Sequence, residues 1–389
     1  MTQTLRTRSD ETRFRGLLGD LGERCRAWRF EVAPNPCVGA ALLSGDDTVA
    51  EGFHRAWGGP HAEVNVLAAA QGSTGDGAGA DPETLLVTLE PCSSTGKTGP
   101  CTRAVLQAGL SHVVVGELDP DPRHRGAGIE KLIAAGLQVD VLPGSAPLRE
   151  VAPHFLRWTD VDRVRRPRPW VIAKWAQTRT GQLVPPADVG EGRWISSAES
   201  LAEVQELRGR VDAILTGVGT VRADDPRFSL RSPAVAGLPA PLRVVLDTEL
   251  RTPPDARLFA ATAEGERAGP VHVLCRRGAS AARHRALVEA GAEVHGLRLD
   301  REGVLSLRAV LEWAWERGLR RVLLEAGPTL QTAMIEQGFV DQLRVYTGSV
   351  NGGRGASLAA FLEPRLLEDV LHREVGEDAV LEAFIRSAS

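Results

Sequence analysis

Along the chain, short apolar runs rich in β-branched residues alternate with segments whose apolar positions recur at helical spacing. In the first half, VGAALLS (38–44), TVAEGFH (48–54), TLLVTLE (84–90), HVVVGEL (112–118) and QVDVL (138–142) predict strands. HAEVNVLAAA (61–70), CTRAVLQAG (101–109) and GAGIEKLIAAG (126–136) predict helices. Strand runs followed by helical patterns that close on glycine imply a mixed or parallel sheet covered by helices, an α/β class. The Gly-rich stretch QGSTGDGAGADPE (71–83) reads as a surface loop. FLRWTDVDRVRRPRPW (155–170) carries Arg and Pro without a period, and residues 156–169 read as a linker between domains 1–155 and 170–389. The second series has strands at WVIAKWA (170–176), DAILTGVGT (212–220), LRVVLD (242–247), VHVLC (271–275), AEVHGL (292–297), RVLLEAG (321–327) and QLRVYTG (342–348). Helices are expected at about 197–208, 280–290, 305–317 and 328–337, and residues 351–389 show only a helical tendency.

Composition narrows the class. A length of 389 residues allows two domains, and 43% hydrophobic residues suffice for packed cores. Lys+Arg 46 against Asp+Glu 50 gives a net charge of -4, which argues against a nucleic-acid surface. No apolar run approaches the roughly 18 residues of a membrane span, and MTQTLRTRSDETRFRG lacks the apolar stretch of a signal peptide. Five scattered cysteines do not make a disulfide framework. The expected compartment is a reducing cytoplasm, where a cysteine pair more often means metal or catalysis.

Three side chains offer that chemistry: His61, Cys92 and Cys101. One imidazole and two thiolates suit zinc, and three protein ligands leave a fourth position for water, as a catalytic zinc requires. Glu63 is the candidate proton carrier. Residues i and i+2 of a regular helix point about 200° apart, so His61 and Glu63 converge only if they sit at the first turn and the site lies off the helix end. Pro60 fits such a start. Pro91 and Pro100 precede the two cysteines, and the positive end of a helix favours thiolate. Taken singly, His61 reads as a cap and the cysteines as an unusual pair. A structural zinc would want a fourth ligand that is not evident.

H-x-E followed by P-C and a second Cys resembles the signature of zinc-dependent nucleobase deaminases. The usual spacing puts two residues between the cysteines, whereas eight intervene here, SSTGKTGP. That longer form, with APNPCVG (33–39) and EGFH (51–54) upstream, resembles the deaminase domain of the bifunctional riboflavin-biosynthesis deaminase/reductase family. The resemblance implies a cytidine-deaminase-like three-layer domain. It also implies attack of zinc-activated water on the amino-bearing carbon of a diaminopyrimidine, proton shuttling by Glu63, and a base-holding role for Asn35, which could equally be a turn residue. Lys97 and Thr98 either meet the ribose phosphate or are solvated.

In the second half, Gly217-x-Gly219-Thr220 ends a strand where a ligand backbone could approach, although glycines also serve plain turns. Gly327, Pro328 and Thr329 open a helix after a strand, which makes an anion site from N–H groups. Together these resemble the reductase domain of the same family, with a dihydrofolate-reductase-like fold and NADPH as cofactor. The resemblance matches Ala176, Trp194, Thr220, Asp224, Thr248 and the segment from Gly327 to cofactor positions, and Arg208, Arg231 and Glu325 to substrate positions. The arginines suit a phosphate bidentately or lie on the surface, and Trp194 could be core. The family segment K-x-A-x-S-L-D-G-R reads KWAQTRTGQ here: Arg179 replaces an apolar residue, Thr180 the acidic one and Gln182 the basic one. After DQLRVY an apolar-Pro segment is replaced by TGSVNGGRG.

The expected protein is a cytoplasmic homo-oligomer, dimer or tetramer, that deaminates a phosphoribosylamino-pyrimidine and then reduces its ribosyl group with NADPH. Three other readings stay open: a deaminase with an altered or inactive reductase half, an RNA- or DNA-base deaminase with a binding domain, and a non-catalytic zinc-stabilised binder. The acidic balance speaks against the second and Glu63 against the third.

Overall fold

The computed structural model describes residues 8–72, 83–186 and 195–386. The chain divides into two compact units, Met1–Arg166 and Pro167–Ser389.

In the first unit, strands β1 (Gly39–Ser44), β2 (Asp47–Phe53), β3 (Thr84–Leu89), β4 (His112–Glu117) and β5 (Gln138–Val141) form one sheet in the order β2-β1-β3-β4-β5. β1 is antiparallel to β2 and β3, and β3, β4 and β5 run parallel. β1, β3 and β4 are buried almost throughout, so their apolar runs do not alternate. Helices Ala62–Gly72, Cys101–Gln107 and Ala127–Ala134 lie where periodicity expects them. Helix Arg8–Cys25 was not expected, yet Phe14, Leu18, Leu21 and Cys25 recur at helical spacing and enter the core with Leu42 and Leu85. The boundary between the units, after Arg166, falls inside the stretch read as a linker, 156–169, whose first part is helical. Pro153–Thr159 and Val161–Arg165 are helical, and the Asp160 side chain caps the second. Phe155 packs in the first unit's core.

The second unit carries β6 (Trp170–Gln177), β7 (Gln182–Val184), β8 (Ala213–Gly217), β9 (Leu242–Leu246), β10 (Val271–Arg276), β11 (Ala292–Leu297), β12 (Arg321–Leu324), β13 (Gln342–Thr347), β14 (Arg354–Ser357), β15 (Leu367–Val375) and β16 (Asp378–Ile385). Nine of them form one sheet, β11-β10-β9-β8-β12-β6-β13-β16-β15, and β14 pairs with β7 apart from it. From β11 to β13 every pairing is parallel, and β16 and β15 are antiparallel. The C-terminal stretch is therefore corrected from helix to strand. The Ala, Leu and Glu of DAVLEAFI favour a helix by propensity, but β16 is enclosed between β13 and β15, and sheet burial overrides that preference.

Candidate functional site

His61 directly precedes helix Ala62–Gly72, and Glu63 lies in its first turn. The helix is pressed onto β2 at Gly52, where a Cβ would sit 2.3 Å from the Val66 nitrogen, so only glycine permits this approach. Cys92 follows β3 by three residues. Its loop is fastened by Glu90, whose carboxylate accepts the amides of Asp119 (3.2 Å), Gly126 (2.9 Å) and Gly128 (2.9 Å). Cys101 opens helix Cys101–Gln107 behind an extended Pro100, and its amide donates to Cys92 Sγ at 3.3 Å.

The three donors converge. His61 Nδ1 lies 3.6 Å from Cys92 Sγ and 3.2 Å from Cys101 Sγ. A tetrahedral zinc with ordinary Zn–S and Zn–N lengths separates such atoms by about 3.5 Å, so the donor set fits that ion in chemistry and in spacing. Among the described residues the cluster closes at three ligands. Hydrogen bonding from Cys101 holds the Cys92 thiol well below its ordinary range despite burial, with His61 adding to the effect. The Cys101 thiol is pushed up by the same bond and by burial. Burial raises the carboxyl of Glu63, which is 3% exposed.

Asn35 stands close by. Its Nδ2 lies 3.2 Å from His54 Nε2, and its carbonyl accepts from His154 Nε2 at 2.8 Å. His54 Nδ1 faces the Pro60 carbonyl at 3.0 Å, so that nitrogen carries the proton and Nε2 accepts from Asn35. The His54 ring meets His61 edge-on at 5.0 Å. Lys97 Nζ sits over the Trp57 ring, 3.8 Å from its centroid.

In the second unit, Thr220, Thr248, Glu325 and Gly327 follow β8, β9 and β12, and Ala176 lies near the end of β6. These are the carboxyl ends of adjacent parallel strands, where open α/β sheets place ligands. The first Gly-x-Gly is split: Gly217 caps helix Val218–Asp224, which contains Gly219 and Thr220. Thr220 Oγ1 accepts the Gly327 amide at 2.9 Å, joining the two glycine segments. Asp224 is one turn beyond Thr220, and burial raises its carboxyl. Gly327 caps helix Pro328–Glu336, with Pro328 at its first position. The first-turn N–H groups of Thr329 and Leu330 have no acceptor within the helix.

Arg208 differs from the expectation of an open phosphate clamp. Its Nε and Nη2 grip Glu325 Oε1 and Oε2 at 2.6 and 2.9 Å, and Lys174 Nζ lies 3.7 Å from Glu325 Oε2. Burial alone would raise the Glu325 carboxyl, but Arg208 and Lys174 hold it down to about 2. Burial lowers the Lys174 ammonium. Arg231 is exposed, and its amide donates to Gln205 Oε1 on the helix that carries Arg208. Trp194 and the Gly-rich loop at 73–82 lie outside the described residues.

Over residues 24–117 the chain matches the family model for the cytidine and deoxycytidylate deaminase zinc-binding region, and over 169–381 that for the RibD C-terminal domain. It is 34% identical over 354 residues to riboflavin biosynthesis protein RibD of Aquifex aeolicus, spanning 90% of this chain and 92% of the relative. The chain belongs to the RibD family. RibD of Escherichia coli is 32% identical over 82% of this chain and 83% of its own. Among solved RibD structures, that of Acinetobacter baumannii superposes with a TM-score of 0.63 at 26% identity, covering 97% of this chain and all of that one. A Thermotoga maritima protein, described as a diaminohydroxyphosphoribosylaminopyrimidine deaminase/5-amino-6-(5-phosphoribosylamino)uracil reductase, gives the same score and identity over 96% of this chain and 99% of its own. RibD membership brings a zinc-binding deaminase domain and an NADPH-linked reductase domain together in one riboflavin-biosynthesis enzyme. Among the described residues no helix is long and apolar enough to cross a membrane.

Several site neighbours escaped sequence reading. Glu90 carries a signal, a carboxylate between a buried strand and a proline. His154, more than a hundred positions from Asn35, carries none. Lys174 did not escape that reading, being the lysine of the K-x-A segment that reads KWAQTRTGQ here.

Proposed function

We propose that the first unit hydrolyses the exocyclic amine of 2,5-diamino-6-(5-phosphoribosylamino)pyrimidinone and the second reduces the product's ribosyl group to ribityl. The observation that carries the reading is the buried Glu63 carboxylate beside the His61, Cys92 and Cys101 donors. These three would hold zinc, which would supply a water acidified towards a pKa of about 7. Glu63 would take a proton from the attacking water and deliver it to the ring and the departing ammonia, so that water and amine become oxo group and ammonia. Asn35, fixed from two sides by His54 and His154, presents its amide to the base. Burial of Glu63 keeps bulk water from competing for its proton.

In the second unit, Gly327, Pro328 and Thr329 with Thr220, Asp224, Thr248, Ala176 and Trp194 would hold NADPH, whose chemistry there would be hydride donation to C1 of the opened sugar. The Arg208–Glu325–Lys174 cluster shapes the substrate side. The substrate phosphate falls to Arg231 and to the Nη1 side of Arg208, since Glu325 takes only Nε and Nη2 of that guanidinium. A cytoplasmic dimer or tetramer belongs to the same reading, and light scattering of the purified chain tests the assembly.

Ammonia release from the diaminopyrimidine nucleotide, followed by NADPH consumption with the deaminated product, tests both halves. A chain that releases ammonia but leaves NADPH untouched would favour an altered reductase. One observation favours that second reading: the departing segment is closed on itself by neutral groups, with Thr178 bonded to Gln182 at 3.2 Å and Thr180 to the Gly352 carbonyl at 3.1 Å.

A further inference from the structure

At the far edge of the nine-stranded sheet, three potential ligands leave one face of two neighbouring strands. His272 on β10 pairs in register with Glu293 on β11, and His295 lies two residues further along β11. The period of two in a strand puts Glu293 and His295 on the same side, facing His272. His272 Nδ1 is 3.0 Å from His295 Nε2. Glu293 Oε2 is 3.7 Å from the former and 3.8 Å from the latter. The two rings stack 5.2 Å apart at 16°, and Trp313 walls both, with centroids at 5.5 and 5.2 Å. His272 is buried, while Glu293 is open to solvent.

The geometry points to a divalent-metal site formed by His272, His295 and Glu293, separate from the zinc centre of the first unit. Ligand atoms of a tetrahedral ion with metal–nitrogen and metal–oxygen bonds near 2.1 Å stand about 3.4 Å apart, and the three observed separations bracket that value. Two imidazole nitrogens that face each other cannot both carry hydrogens. Either one donates to the other, or both lone pairs meet a cation. The carboxylate placed almost equally from both nitrogens favours the cation. Two imidazoles and a carboxylate select a borderline ion of the zinc, nickel or copper type and leave a position for water. Among the described residues β11 pairs only with β10, so such an ion ties the sheet's edge strand to its neighbour across their side chains.

The test uses the full chain with its thiolate centre already loaded with zinc. A second titration with zinc, read by calorimetry and by metal analysis after desalting, is expected to show one further equivalent per chain. Cobalt added in place of that second zinc is expected to give visible d–d bands without the intense near-ultraviolet thiolate charge-transfer band. H295A and E293A, both outside the described catalytic and cofactor residues, are expected to lose this equivalent while ammonia release stays at the wild-type rate. E293A removes a solvent-facing side chain and so keeps the test available if H295A does not fold. A wild-type stoichiometry that stays at one metal, or a second equivalent that persists in both variants, would overturn the proposal.

Discussion

The hydroxyl of Thr220 accepts the backbone amide of Gly327 at 2.9 Å, so the turn after β8 and the turn after β12 are held as one surface. A neutral hydrogen bond of this kind contributes about 1 kcal/mol. Thr220→Val should therefore raise the KM for NADPH roughly five-fold, with a smaller change in kcat. Steady-state NADPH oxidation with the deaminated substrate measures both.

Glu63→Gln keeps the size of the side chain but removes the base. Ammonia release should fall by about 10²- to 10⁴-fold, while zinc content stays unchanged. Activity near wild type with zinc bound would refute the proton-shuttle role.

Chelation should separate the two activities. Removing zinc from His61, Cys92 and Cys101 is expected to abolish ammonia release and to leave NADPH oxidation of the deaminated product intact, because the reductase residues belong to the other unit. Parallel loss of both activities would contradict this assignment.

Gly128 allows the loop bearing Cys92 to lie against helix Ala127–Ala134: a Cβ there would come within 2.0 Å of the Pro91 carbonyl oxygen. Gly128→Ala should push Pro91 away and misplace Cys92. Loss of support around a ligand typically lowers metal affinity by about 10- to 100-fold, and competition with a chelator reads this directly.

The Glu325 carboxyl has a folded pKa of about 2, below its ordinary value near 4.3, because Arg208 and Lys174 overcome the effect of burial. A depressed carboxyl contributes stability that is fully present above the unfolded pKa and is lost as pH falls through the folded one. The urea midpoint of the second unit should drop between about pH 4.3 and 2. Glu325→Gln should lower the midpoint at neutral pH, since it strands two buried cations, and should flatten that acid limb. An unchanged acid limb in the variant would count against the pairing.

The sequence displayed its framework where burial was two-sided. β3 and β4 are continuous apolar runs because both faces are covered, and HVVVGEL can hardly be read otherwise. The zinc donors were visible because proline marks each approach and because few residue types bind that ion. Elsewhere local and tertiary preferences disagree. β15 alternates weakly and is half exposed, and the residues of β16 favour a helix until neighbouring strands enclose them. Arg208 looked like an open phosphate clamp because sequence shows its charge and hides Glu325, 117 positions away, which takes its Nε and Nη2. His272 and His295 meet only through the register of β10 with β11.

The placement of β6 governs how the second unit can assemble. It is that unit's first strand, yet it lies inside the sheet, and Trp170 finds its register partner in Arg321, 151 positions later. Closing so long a loop is costly before any contact rewards it, so this half should acquire its native topology slowly. The first unit draws β1, β2 and β3 together over much shorter spans. A nascent or refolding chain should hence own a finished deaminase while its reductase is still searching, and exposed β6 is the segment a chaperone would have to shield.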